Sequence, residues 1–304
     1  MAGTPDHGFW LFKSCMMGIE FPGAESSTKF VFDKLGIKYL DDSRQSCCTG
    51  LGMMVDVFDP LTSAVIAARN FHLAASSGFP YLATLCTTCF GINKKICNWV
   101  NENPQFTDKI REILAKINVQ YDSTIMKKQN VFHVADVFHK WKEKIKREKI
   151  IDFQGISIAA HYGCHYYKIH HSETPENLHI LEDIIEAVGG KPIKYYPEKF
   201  LCCGSGYRHR HFNQSLANSA LQKKMDGVNE SGAEVLVNMC PMCFFQFDRF
   251  QHHLEKGSGK QYNLVHFNVA ELVALALGAD PYKVVGIQCH RTKVEPFLQR
   301  ILKK

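Results

Sequence analysis

Long apolar runs are missing from this 304-residue sequence. A membrane-spanning helix needs about 18 or more consecutive apolar residues. The nearest stretch, "VAELVALALGA", is shorter and contains a Glu. The N-terminal "MAGTPDHGFW" has no basic region followed by an apolar run, so no secretory leader is expected. Charge of one sign is also scarce. Lys and Arg number 36 against 30 Asp and Glu, a net charge of +6 scattered along the chain. That balance argues against nucleic acid and suits an anionic small ligand or an acidic protein partner. No flavin or nucleotide motif stands out, and there is no compact ferredoxin-type run of cysteines. These absences point to a cytosolic protein. The length suggests two domains, at roughly 150 residues each.

Cysteine is what the chain has in quantity: 12 residues. In a cytosolic setting that number argues for metal or redox chemistry rather than a disulfide framework. Two doublets stand out, Cys47-Cys48 in "QSCCTGLGMM" and Cys202-Cys203 in "KFLCCGSGYRHRHF". Neighbouring Cα atoms lie about 3.8 Å apart, while a disulfide wants roughly 4.4–6.8 Å. A bond within either doublet would strain the backbone.

The doublets belong to a duplicated pattern. The first half reads Cys15, Cys47-Cys48, Cys86-Thr-Thr-Cys89; the second reads Cys164, Cys202-Cys203, Cys240-Pro-Met-Cys243. From Cys48 to Cys86 is 38 positions, and from Cys203 to Cys240 is 37. Cys97 and Cys289 are left over and read as structural. "GFWLFKSC", "PYLATLC", "GISIAAHYGC" and "EVLVNMC" read as buried strands ending at a cysteine, and "IKYL" and "KPIKYYP" as strands shortly before each doublet. Helical patterns cover 25–35, 60–76, 175–188 and 213–230. The alternation predicts an α/β fold with parallel sheets in two tandem Rossmann-like halves, 1–150 and 151–304. The boundary lies in the charged helical stretch "KWKEKIKREKIIDFQG", which reads as a solvated face. Ligands of such sheets sit beyond the carboxyl ends of the strands, where all three cysteine groups of each half fall. They should converge in space.

Five cysteines per half exceed the four of a structural zinc site or a cubane iron–sulfur cluster. The fifth implies a cluster with more ligands than a cubane, or a spare catalytic thiol. Iron–sulfur is the preferred reading; a zinc scaffold and buried thiols are the alternatives. Arg208 and Arg210 in "GYRHRHF" precede a predicted helix and are candidates to hold an anion, against the plainer reading of an exposed polar turn. His161 and His165 flank Cys164, and His165 is a candidate proton donor. His170, His171, His252 and His253 read as surface residues.

The repeated Cys-xₙ-Cys-Cys-Gly-xₘ-Cys-x-x-Cys pattern, with "GIEFPGAE" at 18–25, resembles the cysteine-rich (CCG) domain of the B-subunit of heterodisulfide reductase from methanogenic archaea. The resemblance covers nearly the whole chain. It implies two noncubane [4Fe–4S] clusters at the domain interface, one on Cys15, Cys47, Cys48, Cys86 and Cys89, the other on Cys164, Cys202, Cys203, Cys240 and Cys243. It implies reduction of the mixed disulfide of coenzyme M and coenzyme B. The partners it implies are the ferredoxin-type iron–sulfur subunit and the flavin subunit of the reductase, with hydrogenase or formate dehydrogenase as electron donors. Related domains also serve as electron-transfer subunits of quinone-linked or glycolate and lactate oxidoreductases, which is the alternative function. The first doublet departs from the pattern: it is followed by Thr49-Gly50, which reads as one inserted residue.

Overall fold

The computed structural model describes residues 5, 6, 8–168 and 177–302, with the side chains of Tyr207, Arg208 and His209 outside that description. The first half runs β1 (Phe9–Phe12), α1 (Cys15–Glu20), α2 (Pro22–Leu35), β2 (Tyr39–Leu40), α3 (Gly50–Met54), α4 (Pro60–Ser76), β3 (Tyr81–Thr84), α5 (Thr87–Glu102), α6 (Pro104–Ala115), β4 (Val131–His133), α7 (Val134–Lys140) and α8 (Lys142–Glu148). The second runs β5 (Ser157–His161), α9 (Cys164–Tyr167), α10 (Ile180–Ala187), β6 (Lys191–Ile193), α11 (Tyr207–Phe212), α12 (Gln214–Glu230), β7 (Val235–Asn238), α13 (Pro241–Ser258), β8 (Val265–Asn268), α14 (Val269–Ala276) and α15 (Glu295–Leu302).

Each half builds a four-stranded sheet, ordered β2-β1-β3-β4 and β6-β5-β7-β8. Every pairing is parallel. The expected α/β architecture with duplicated halves is therefore present. Parallel strands are covered by helices on both faces and read as continuous apolar runs. β1 is the clearest case: Phe9, Trp10, Leu11 and Phe12 are all fully buried. The order of strands reverses between β1 and β3, and between β5 and β7. Crevices at such switch points, beyond the strand carboxyl ends, are where ligands bind in this architecture.

The expected strands and most helices fall where the patterns place them. α4 matches 60–76, and α12 begins one residue after the expected start. α10 is shorter than 175–188: it starts at Ile180 behind His179, which makes no side-chain cap, and stops before Gly189 at φ +91°. Positions 175 and 176 lie outside the described residues, as do His170 and His171. α8 exposes its charges and buries only Ile145, as a solvated face should. β4 and β8 were not expected. Each ends in a capping box, His133 with Asp136 and Asn268 with Glu271. The apolar stretch nearest in character to a membrane span is α14, buried along its whole length. Among the described residues no helix is long and apolar enough to cross a membrane.

The halves interlock reciprocally. α2 packs on α14, and its counterpart α10 packs on α7, the counterpart of α14. α1 packs on α13, and α9 packs on α5. The "GIEFPGAE" segment sits in this joint. Glu20 pairs with Arg249 at 3.2 Å, Phe21 stacks on Phe244 at 4.2 Å, and a Cβ at Gly23 would lie 1.7 Å from the Val285 carbonyl oxygen.

Candidate metal centres

The strands set the positions of the sulfurs. Cys15 follows β1 and opens α1; Cys86 follows β3 and is the N-cap of α5; the first doublet lies on the loop between β2 and α3. The second half repeats this with Cys164, Cys240 and its own doublet. In the first half the thiols form an unbroken series of side-chain contacts: Cys15 with Cys47, Cys47 with Cys48, Cys48 with Cys89, Cys89 with Cys86. The second half has the same series in the same order: Cys164, Cys202, Cys203, Cys243, Cys240. The two series meet where Cys86 Sγ lies 3.9 Å from Cys240 Sγ. All ten thiols are free.

The electrostatics repeat as well. Hydrogen bonds from Cys15 and Cys48 pull the Cys47 thiol down to about 2, while Cys48 is pushed up to about 12 by donating to Cys47. Cys202 is held far below the usual thiol range by Cys164 and Cys203, and both donors are pushed up. The first sulfur of each doublet also accepts the backbone N–H two residues on, from Thr49 to Cys47 at 3.3 Å and from Gly204 to Cys202. Crowded sulfurs sharing protons in this way are a donor set for soft metal ions, whose binding needs thiolates. Five sulfurs per centre and no disulfide fit an iron–sulfur group. In a doublet, adjacent thiols can hold neighbouring irons without a strained S–S bond.

Thr49 is not an insertion. It takes the place of Gly204 directly after the doublet, and both have a left-handed backbone, φ 61° and 83°. Both present their N–H to the first sulfur. The mismatch is a threonine substituted at a glycine position.

The remaining candidates fall as follows. His165 is partly buried beside Cys164; burial lowers its pKa, and Cys240 partly opposes that. Arg210 is held by Gln246 at 3.2 Å and Asn218 at 3.0 Å, lies over the Phe250 ring, and has a buried Nη2 without a partner among the described residues. The side chain of Arg208 lies outside the described residues. Cys97 is fully buried in α5 and Cys289 is half-buried. His252 and His253 are exposed on α13. A cleft of about 940 Å³, lined by Asp248, His252, Glu255, Arg291 and Arg300 among others, has no cysteine in its wall.

Three site residues escaped the sequence reading. Thr87, inside the first Cys-x-x-Cys, hydrogen-bonds Cys240 of the other half. Lys224 is completely buried in α12 and donates to the Glu198 and Lys199 carbonyls ahead of the second doublet. His161, read only as a flank of Cys164, lies against Cys203 and Cys243, with its ligand atom and their sulfurs all within 4.8 Å of one another. Burial lowers its pKa to about 3, so the ring is neutral.

Comparison with known proteins places the chain in a family. The cysteine-rich domain model matches twice, over residues 9–92 and 158–248. The chain is 41% identical to the B-subunit of a ferredoxin:CoB-CoM heterodisulfide reductase from Methanosarcina acetivorans, over 97% of this chain and 96% of that one. The chain belongs to the CCG-domain family of heterodisulfide reductase B-subunits. A protein of Archaeoglobus profundus described as like these B-subunits is 31% identical over 97% of this chain and 98% of its own. The chain is also 26% identical to the 8-methylmenaquinol:fumarate reductase membrane anchor subunit of Wolinella succinogenes, over 92% of this chain and 95% of that one. The fold is shared with a hypothetical protein from Helicobacter pylori at TM-score 0.71 and 14% identity; the match covers 96% of this chain and 53% of that one. As a homologue of the heterodisulfide reductase B-subunits, the chain is one component of an oxidoreductase, with an iron–sulfur-binding cysteine-rich fold.

Proposed function

We propose that this chain is the catalytic B-subunit of a CoB–CoM heterodisulfide reductase. The mixed disulfide takes up two electrons and two protons and leaves as two thiols. The ten cysteines hold two noncubane [4Fe–4S] clusters, five to each. The observation that carries the reading is the pair of matching five-sulfur series meeting at Cys86 and Cys240. When bound, such clusters supply one-electron transfer and soft Lewis acidity toward sulfur. Two of them beside one S–S bond match the two-electron demand of disulfide reduction.

The chain's own residues would do the rest. Arg210, with its spare N–H₂ group near Cys203, would hold an anionic end of the substrate, with Arg208 as a second candidate. His165, beside Cys164, would relay a proton to a released thiolate; burial lowers its pKa, so the ring passes the proton on rather than keeping it. Cys15 and Cys47 are exposed, and Ile19, Val57 and Leu51 on the neighbouring elements are 75%, 69% and 47% exposed. Apolar residues exposed beside a redox site suit a docking face for the electron-donating partner proteins.

The test is to replace Cys48 and Cys203 by Ala, one at a time. Each variant should lose iron and sulfide from one centre, and turnover should fall at least about a hundredfold in the assembled complex. Full iron and full activity in both would sink the reading. The fumarate reductase relative favours a second reading, in which the chain passes electrons to a quinone-linked enzyme. Turnover with the heterodisulfide against a quinone separates the two.

A further inference from the structure

The halves repeat one another so closely that positions can be matched one to one, and the mismatches are informative. Three residues before the lead cysteine, at the end of the lead strand, the first half has Phe12 and the second His161. Both are buried, at 0% and 2% exposure. At the eleventh position of the matched seventeen-residue helices α4 and α12, the first half has Asn70 and the second Lys224. Both fasten the loop ahead of the doublet, Asn70 through the Ser46 backbone and Lys224 through the Glu198 and Lys199 carbonyls. The second half thus has an imidazole where the first has a phenyl ring, and an amine, its pKa lowered by burial to about 7, where the first has a neutral amide.

His161 is the stronger case. A neutral imidazole always carries one N–H, and leaving it buried without an acceptor costs about 1–3 kcal/mol. The other histidines with buried rings face a polar acceptor: His133 reaches the Met239 carbonyl at 2.9 Å, His266 reaches Gln251 at 2.7 Å, and His290 lies 3.5 Å from the Glu271 carboxylate. Neither ring nitrogen of His161 has a hydrogen-bond partner among the described residues. The ring is edge-on to Phe247, and the sulfurs of Cys203 and Cys243 are the electron-rich atoms beside it.

We propose that His161 donates its ring N–H to a sulfur of the C-terminal centre, so that this centre has the higher reduction potential and takes up an electron before the N-terminal one. The proposal rests on the reading that each five-cysteine set holds an iron–sulfur centre. A donor aimed at a metal-bound sulfur stabilises the added electron, and hydrogen bonds to sulfur are a recognised control of cluster potential. Lys224 acts in the same sense from further out, while Phe12 offers no such donor. His161 is a positioning residue here: it acts through the sulfur, and only an electron moves, supplied by a low-potential one-electron donor.

The experiment is a redox titration of the anaerobically purified full chain with dithionite, followed by electron paramagnetic resonance, with iron and acid-labile sulfide measured alongside. The wild-type chain should show two waves, and the higher should vanish in Cys203→Ala. His161→Phe, the residue of the matched position, should keep its iron and sulfide while the higher wave moves down toward the lower. His161→Gln, which restores an N–H, should move it back up. If the phenyl ring empties both centres, His161→Met is read in the same way. An unmoved wave in the variants overturns the proposal. So does loss of iron from the C-terminal centre alone, which would make the imidazole a ligand. A wild-type chain without iron and sulfide would instead remove the iron–sulfur reading itself.

Discussion

Thr49 holds the backbone in the left-handed region, where a β-branched residue is strained by about 1–2 kcal/mol. Its hydroxyl donates to the Cys48 carbonyl at 2.6 Å and recovers part of that. The strain sits between a candidate ligand pair and the helix that follows, where the Thr49 N–H is aimed at the Cys47 sulfur. Thr49→Gly should therefore stabilise the metal-free chain by about 1 kcal/mol, measured by denaturant unfolding. Gly204 has the opposite sensitivity. Its φ is +83°, and a Cβ would come within 2.3 Å of the Ala217 carbonyl oxygen. Gly204→Ala should cost about 2 kcal/mol or more in the same measurement and lower the iron content of the C-terminal centre.

At the scale of elements, β4 and β8 matter beyond completing the sheets, because each carries a buried histidine. Burial lowers His133 and His266 to about 4, each from an ordinary value near 6.5. The unfolded chain therefore binds more protons than the folded one between pH about 4 and 6.5. Stability rises with pH across that window and is lost as pH falls through it, by on the order of 3 kcal/mol for each histidine. Unfolding of the metal-free chain followed against pH should show this slope, and His266→Gln should flatten it. These two strands were the part of the fold hardest to read from sequence. "VFH" and "VHFN" each carry polar residues that interrupt a strand pattern, and their burial comes from the helices packed over them. The legible signal was the capping box after each, "HVAD" and "NVAE". The patterns of β1, β3, β5 and β7 were legible because buried parallel strands have no polar face to interrupt them, and those of β2 and β6 through their place shortly before each doublet. The ten cysteines were legible through their duplicated spacing. His161 and Lys224 were not, because a lone buried polar residue has no spacing to betray it and only its missing or unusual partners mark it out.

For the whole molecule, the proposed division at residue 150 separates two sheets but not two self-sufficient bodies. α2 of the first half is covered by α14 of the second, and Gly23 allows the two backbones to touch. The amides of Ile150 and Ile151 are themselves tied to the Ala276 carbonyl. A fragment of residues 1–150 should bury too little apolar surface alone, and sedimentation should find it paired with itself or unfolded rather than as a folded monomer. The reciprocal exchange of helices also speaks to ancestry. A single repeat of this design has its covering helix in another copy, so two identical chains side by side could cover one another in the same way. Two copies joined in one chain are free of the obligation to be identical. A pair of like chains cannot place a phenylalanine in one lead strand and a histidine in the other; a fused pair can, and this one does.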